Sequence, residues 1–260
     1  MFNQYTYKSM SSVNRHMETL GQTVGDINNI FTVGYRAKDQ RFHETLNGIR
    51  GNTRRDFTDG VAKSTNRELD FALQGKGFFE IQLPDGTYAY TRDGSFTVGP
   101  NGELLSSQGY KVVTSSPDKE FINKDYSADS FDVGVNSGET YIPVGATVNL
   151  DADGVLKTDG GAVIGKLNVV NFTNPDGLKD LGDNMFMATE ASGDIHDVEI
   201  GTMNNQTRIQ QGALETSNVS LVRNMSQMVQ LNSIIKAEMK VLKMLDQMQE
   251  NLNSTITRNI

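Results

Sequence analysis

Apolar residues near the N-terminus recur at alternating intervals of three and four residues. Spacing of this kind lines side chains along one edge of an α-helix and is typical of a coiled-coil seam. The pattern predicts an N-terminal helix that ends at Gly34. Gly21 and Gly25 each cost about 1 kcal/mol relative to alanine in such a helix, which favours close approach by another helix. The seam positions are Met10, Val13, Met17, Leu20, Val24, Ile27 and Phe31.

A longer apolar stripe runs through the C-terminal segment. Neither Gly nor Pro occurs from Ala213 to Ile260, and Ser217 or Asn218 can cap a helix start there. The mean spacing is about 3.5 residues, so the helix carries an apolar edge about 50 Å long. The positions are Leu221, Met225, Met228, Leu231, Ile235, Met239, Leu242, Leu245, Met248, Leu252 and Ile256.

Both apolar edges need partners. One interpretation is that they form the core of a compact helical bundle. Side chains that a long helix left exposed would each forfeit about 1.5–3 kcal/mol of burial. We therefore favour pairing of the two terminal helices as a coiled coil, together with contacts to neighbouring subunits.

Short aromatic and β-branched runs, separated by turn residues, fill the middle of the chain. No helical period lies between them, so the sheet is predicted to be antiparallel. The predicted strands are residues 78–83, 87–92, 95–98, 110–113, 140–144, 146–150, 155–158 and 163–172. The predicted fold class is α+β, with long terminal helices and a central all-β domain.

Charge divides the 260 residues into unlike parts. Residues 1–68 carry ten Lys or Arg against seven Asp or Glu, residues 69–206 eight against twenty-one, and residues 207–260 six against four. The acidity therefore belongs to the middle. We predict an N-terminal helix in 1–35, a linking segment in 36–68, a β domain in 69–206 and a C-terminal helix in 207–260.

Composition removes several function classes. The chain has no cysteine, three histidines and a net charge of -8, which excludes thiolate metal sites and disulfides and disfavours binding to nucleic acid. His16, His43 and His196 lie in different parts of the chain, and solvated surface positions are expected for them. No secretory signal and no run of eighteen apolar residues is present, so a cleaved signal peptide and membrane insertion are not expected.

Two near-motifs have simpler explanations as turns. Gly160 to Leu167 nearly matches a phosphate-binding loop but places leucine where the hydroxyl residue must stand, and Asp151 to Gly154 starts like a calcium loop without its later ligands. No nucleophile signature is present either. We therefore expect no metal, no cofactor and no enzymatic activity.

Four segments resemble the flagellar basal-body rod and hook protein family. They are residues 27–36 (INNIFTVGYR), 69–79 (LDFALQGKGFF), 90–96 (YTRDGSF) and 211–219 (QGALETSNV). Gly25, Asp26 and Phe31 depart from the family pattern, which predicts altered packing at the end of the first helix. The matching residues are Asn29, Thr32, Gly34, Tyr35, Asp70, Gly75, Gly77, Phe78, Arg92, Asp93, Gly94, Gly212, Ser217 and Asn218.

The resemblance implies a structural subunit that polymerises through its terminal helices into the hollow axial drive shaft of the flagellar basal body. It implies a helical homopolymer in contact with other rod proteins, the hook protein, the ring bushing and the flagellar export apparatus. It also implies a rod that crosses the periplasm and is exported without a cleaved signal peptide. The run from Gly165 to Phe186 favours the distal rod type over its proximal sibling.

Two alternatives stay open. The chain could be a hook-type or other flagellar axial protein, or a coiled-coil structural or adhesin-like protein outside the flagellum. A soluble enzyme on a β scaffold would instead need a concave site with convergent polar groups.

Overall fold

The computed structural model describes residues 2–45, 48–115, 142–143, 145–201 and 207–258. They form two compact units. The helical unit comprises Met1–Ile30, Ala37–Asp56 and Val219–Ile260, and the β unit comprises Phe31–Arg36 and Phe57–Asn218.

Two long helices and a β-hairpin make up the helical unit. Helix α1 spans Phe2–Asn28 and helix α2 spans Leu221–Arg258. Strands β1 (Lys38–Thr45) and β2 (Gly48–Arg55) pair antiparallel in a hairpin for which the sequence analysis predicted no element. The two helices pack against each other. The coiled-coil geometry of this pair stays a prediction.

The helices run in opposite directions. Ser12 of α1 contacts Glu238 in the second half of α2. At the other end of the contact, Thr23 of α1 and Asn224 of α2 line one polar cleft of about 150 Å³. An antiparallel pair therefore forms within one chain.

The C-terminal end of α1 and the N-terminal end of α2 both differ from the sequence prediction. Helix α1 stops at Asn28 instead of Gly34: the Asn29 side chain donates to the Gly25 carbonyl beside the last helical backbone bond, and the Ile30 amide then bonds to Ile27, only three residues back. Phe31 therefore lies beyond the helix. Helix α2 starts at Leu221, with the Ser220 carbonyl accepting from the Asn224 amide, so neither Ser217 nor Asn218 caps it.

Antiparallel pairing holds the β unit together, as predicted. Every strand pair among the described residues is antiparallel. The strands are β3 (Ala62–Ser64), β4 (Phe71–Gln74), β5 (Phe78–Gln82), β6 (Tyr88–Thr91), β7 (Thr97–Val98), β8 (Leu104–Leu105), β9 (Lys111–Val112), β10 (Thr114–Ser115), β11 (Val148–Leu150), β12 (Val155–Thr158), β13 (Val163–Leu167), β14 (Val169–Phe172), β15 (Lys179–Gly182), β16 (Met185–Met187), β17 (Ile195–Asp197), β18 (Arg208–Gln211) and β19 (Ala213–Glu215).

These strands form two larger sheets and two short ribbons. The largest sheet has the order β15-β16-β6-β5-β9-β8-β7, and β14 joins it by pairing with β5 and β17. A second sheet has the order β10-β13-β12-β11. The ribbons pair β18 with β4 and β19 with β3, so the last strands of the unit return to its first strands.

The long strand predicted for residues 163–172 is two strands in different sheets. Asn168 separates them: its side chain donates to Glu80, and its backbone nitrogen donates to the Val113 carbonyl. Of the strand predicted at 140–144, residues 140, 141 and 144 lie outside the described residues, and 142–143 are not in a strand.

Aromatic side chains fill two core clusters in the β unit. The larger cluster includes Phe71, Phe79 and Phe96, all completely buried. The smaller cluster contains Phe78, whose ring meets those of Phe172 and Phe186 edge-on at centroid distances of 5.8 Å. Such pairs add about 0.5–1.5 kcal/mol each beyond area burial, so the unit has a core of its own.

Candidate functional site

The predicted seam of α1 divides into two faces that each repeat every seven residues. Val13 is buried and Leu20 and Ile27 are half-buried on the face toward α2. Met10, Met17 and Val24 are between 39 and 62% exposed on the adjoining edge of the helix, about 60° around its axis, which we call the α1 outer face. The set Val13, Leu20 and Ile27 therefore packs inside the chain. The other set stays largely exposed among the described residues.

The face of α2 that packs on α1 alternates strictly at intervals of four and three residues. Leu231 and Ile235 are buried at its centre. Two polar residues, Asn224 and Glu238, occupy positions where the sequence analysis placed their neighbours Met225 and Met239. The full set is Asn224, Met228, Leu231, Ile235, Glu238, Leu242 and Leu245.

Further apolar residues stand exposed on α2 beside the face that packs on α1. Ile234, Val241 and Met248 repeat every seven residues and are 42–53% exposed, with Met244 beside them. We call these four residues the α2 outer face. Predicted seam residues Leu221, Met225, Met239 and Leu252 are exposed as well, while the side chain of Ile256 lies outside the described residues.

The glycines of α1 lack the close neighbour that the sequence favoured. A Cβ atom added at Gly21 or Gly25 would meet nothing within 4 Å. Another helix of the described chain therefore does not approach them. The open surface that they leave beside Val24 is available to a second molecule.

A polar contact sets the alignment of the two helices. Ser12 Oγ donates to Glu238 Oε1 at 2.7 Å, and His16 Nδ1 lies 3.0 Å from Glu238 Oε2. His16 is half-buried rather than a solvated surface residue, because α2 covers it. Polar side chains at a seam cost stability but fix register, since any shift leaves the partly buried carboxylate without donors.

The helix pair should weaken in acid because of Glu238. Burial raises the pKa of this carboxyl, but hydrogen bonds from Ser12 and His16 and the charges of His16 and Arg15 together hold the pKa below its ordinary value of 4.5. A lowered pKa in the folded state stabilises the fold above the unfolded pKa, and this contribution is lost as pH falls through the folded pKa.

We expect the thermal midpoint of the helical signal, followed by circular dichroism, to fall by about 2–4 °C in Glu238→Gln at pH 7. Because the variant lacks the ionisable group, its difference from the wild type should shrink below pH 4.5. A difference that stays constant from pH 7 to pH 3 would contradict the assignment.

In the β unit, a buried ionic cluster joins segments far apart in sequence. Arg36 and Arg92 approach the completely buried carboxylate of Glu215, with nitrogen–oxygen distances of 2.8 and 3.4 Å. The Gly60 amide also donates to Glu215, at 2.7 Å. Asp59 adds a second carboxylate 3.3 Å from Arg92, so two positive charges meet two negative ones.

Arg92 is held by more than charge. Its guanidinium donates to the carbonyls of Leu73 and Gly75, and lies 5.5 Å from the centre of the Phe78 ring. Burial lowers the pKa of Arg92 to about 10, partly offset by Glu215. The group stays protonated at neutral pH, and its buried charge depends on this shell of acceptors.

Backbone pairing surrounds the cluster. The Gly34 amide donates to the Glu215 carbonyl at 2.9 Å, and the Asn218 amide donates to the Tyr35 carbonyl at 3.4 Å. The Asn218 side chain also donates to Thr58. The first and last segments of the β unit therefore lie side by side, clasped by the cluster.

Motif glycines stand where a side chain would collide. At Gly34, with a φ of +66°, a Cβ would lie 2.7 Å from the carbonyl carbon of Arg92. At Gly77, with a φ of +135°, it would lie 2.7 Å from a methyl group of Val169. At Gly94 it would collide with the Phe71 carbonyl. Only glycine fits these close approaches.

The other motif residues also have packing roles. Asp93 accepts from Ser95 and Ser107, and buried Asp70 pairs with Arg67 at 3.4 Å. The Tyr35 amide donates to the Thr32 carbonyl, the Gly75 amide donates to the Asp59 carboxylate, and the Gly212 amide donates to the Asp70 carbonyl. Ser217 lies next to Asn218 in the segment before α2.

The described residues offer little for chemistry. They hold no cluster of three or more His, Asp or Glu that could bind a metal ion. Gly160 and Gly161 lie in the turn between β12 and β13, and Asp151 to Gly154 form the turn between β11 and β12, as predicted for both near-motifs. His196 lies exposed in β17, 3.1 Å from Thr173 Oγ1, and His43 lies in β1.

Sequence reasoning missed the ionic cluster as a cluster. Arg36 and Glu215 stand inside the motif segments, but they were not singled out, and nothing in the spacing linked Asp59 to them. The sequence feature that could have indicated the cluster is a charged residue within a strand-like segment, as in Ala213-Leu214-Glu215. Charged residues are almost never fully buried unless they are paired, so that pattern alone names no partner.

Two protein families match the chain. Residues 72–182 match the family described as flagellar hook protein FlgE/F/G D1 domain, and residues 210–255 match that described as flagellar basal body rod FlgEFG protein C-terminal. The first match runs from β4 to β15, and the second runs from β18 through most of α2.

Individual relatives agree with these families. The chain is 32% identical over 207 residues to a flagellar basal-body rod protein FlgG from Buchnera aphidicola, covering 77% of this chain and 70% of the relative. It is 35% identical over 199 residues to FlgG from Borreliella burgdorferi, covering 75 and 68%. The chain is 26% identical over 257 residues to a flagellar basal-body rod protein FlgF from Escherichia coli, covering 92% of this chain and 93% of the relative.

Proposed function

Because this chain belongs to the flagellar FlgE/F/G family and is a structural subunit of the basal-body rod, we propose that it polymerises through α1 and α2 into the hollow axial shaft of that rod. Its role is to carry load and enclose a channel, not to catalyse a reaction. The rod family places it in the flagellar basal body.

The observation that carries this proposal is the pair of outer faces. Both repeat every seven residues, as does the face through which α1 and α2 meet inside the chain. A seven-residue apolar repeat fits against another helix with the same repeat. The α1 outer face of one copy therefore receives the α2 outer face of the next, and Gly21 and Gly25 let the second helix come close.

Such an interface joins two different surfaces. A contact between unlike surfaces leaves one free face on each end of a growing assembly, so it builds an open helical polymer instead of a closed dimer. Burial of each outer-face side chain supplies about 1.5–3 kcal/mol at most. The free energies of the many contacts along a tube add together.

Further partners follow from membership of the rod. We propose that the ends of the polymer meet other rod proteins and the hook protein, and that the shaft passes through a ring bushing. We also propose that the chain reaches its place through the flagellar export apparatus without a cleaved signal peptide.

In the part of the chain that the structure describes, neither helix is long and apolar enough to span a bilayer.

The distal and proximal rod types remain two candidates with separate support. Identities of 32–35% to two FlgG proteins support the distal type. The match to FlgF extends over 93% of that relative, which supports the proximal type. Chemical cross-linking in isolated basal bodies, followed by identification of the neighbours, separates these positions.

Self-assembly of the purified full-length chain tests the proposal. We expect light scattering to rise above a threshold concentration and negative-stain microscopy to show tubes. Scattering that stays monomeric at all concentrations, even after addition of isolated basal bodies as seeds, would contradict polymerisation through the chain's own surfaces.

A further inference from the structure

We propose that the methionines exposed on α1 and α2 are an oxidation site through which peroxides control assembly of this chain. The inference rests on the proposed function, because it assigns a chemical control to the same outer faces. Its substrate class is hydrogen peroxide and related hydroperoxides.

The methionines are unevenly distributed. Of the eleven in the chain, every one that is exposed among the described side chains lies on the two helices. Within the β unit, Met185 is buried and Met187 is half-buried. The exposed set is Met10, Met17, Met225, Met239, Met244 and Met248, each 48–62% exposed.

Exposure determines which sulfur atoms react. A hydroperoxide transfers its terminal oxygen to the thioether, its O–O bond breaks, and water or an alcohol leaves. The sulfur is oxidised to a sulfoxide and the peroxide is reduced, so no other reactant is needed. Reaction should therefore concentrate on the helices and spare Met185 in the core.

The sulfoxide changes the surface at the positions that matter for assembly. Met10 and Met17 are two of the three residues of the α1 outer face, and Met244 and Met248 are two of the four on the α2 outer face. A flexible apolar side chain becomes polar and hydrated, and burying it against a second helix then costs free energy. Neither the contact between α1 and α2 nor the β core contains these six residues.

The modification is reversible, as a control of assembly requires. Methionine sulfoxide reductases restore the thioether. In an assembled rod the sulfur atoms of Met10, Met17, Met244 and Met248 are covered by neighbouring copies. Assembled subunits should accordingly be protected, and only unassembled ones respond.

The experiment measures the threshold concentration for assembly of the full-length chain before and after peroxide treatment, with oxidised positions mapped by mass spectrometry. We expect treatment to raise the threshold at least about tenfold, circular dichroism to be unchanged, and reductases to return the threshold to its starting value. The readout is the ratio of oxidised to reduced thresholds for each variant.

Two variants separate the helices from the core. Replacing all six exposed methionines by leucine should bring the ratio close to one, while Met185→Leu with Met187→Leu should leave it as in the wild type. A wild-type ratio of one, or no recovery with reductases, would overturn the inference alone. A reduced chain that never assembles would overturn the proposed function and this inference with it.

Discussion

Val241→Asp is expected to abolish polymerisation of the full-length chain while both units stay folded. Val241 is 46% exposed at the middle of the α2 outer face. A carboxylate buried there against a second helix has no cation supplied by the α1 outer face, so the contact loses several kcal/mol. The threshold concentration in light scattering should rise at least about 100-fold.

Gln247→Asp is the matched control. Gln247 is also exposed on α2, and the substitution introduces the same charge outside the outer face. We expect its threshold to stay within about twofold of the wild type, because surface changes cost little. Equal loss of assembly in both variants would mean that net charge, not the α2 outer face, governs the contact.

Mixing two variants tests the pairing of unlike faces. Val24→Asp spoils the α1 outer face and leaves the α2 outer face intact, and Val241→Asp does the reverse. An equimolar mixture should form dimers through the one intact pair of faces and then stop growing. Long tubes from the mixture would contradict a contact between α1 of one copy and α2 of the next.

The second large effect is expected at the ionic cluster. Glu215→Gln keeps the size of the side chain but leaves the buried guanidiniums of Arg36 and Arg92 without their shared carboxylate. Loss of one partner from a buried ion pair costs about 3–5 kcal/mol. Since whole domains are stable by about 5–15 kcal/mol, the β unit should lose a large part of its stability.

Urea denaturation monitored by a β-unit signal measures this effect. Glu103→Gln is the control, because Glu103 forms a partly exposed ion pair with Lys111 at 3.7 Å. Its loss should cost less than about 1 kcal/mol. If Glu215→Gln lowered the unfolding midpoint no further than Glu103→Gln, the cluster would not be what clasps the β unit.

The sequence pattern predicted those strands and turns that depend on neighbouring residues alone. Val155–Thr158 forms the predicted strand, and the turns around it follow from Asp153-Gly154 and Gly160-Gly161. The end of α1 was wrong because Asn29 closes the helix early, a side-chain contact that a spacing argument does not contain. The long strand at 163–172 was wrong for the same reason at Asn168.

Function came from resemblance more than from spacing. The apolar periods of α1 and α2 predicted a partner but did not say which side chains meet inside the chain. Leu242, for example, lies half-buried in the contact with α1, whereas its neighbour Val241 is exposed. The hydrogen bond from Ser12 to Glu238, 226 residues later, marks which side of α2 meets α1, and neither helix alone shows it.

The clasp of the β unit also governs when that unit can be completed. Arg36 and Glu215 are 179 positions apart, so the ring of chain that they close is almost the whole unit. Structures dominated by such distant contacts fold slowly, because the entropy of closing the ring is lost before the contacts form. During synthesis, residues 31–36 emerge long before their partner does. Completion of the β unit therefore has to wait until Glu215 has been synthesised, whatever the state of the strands before it.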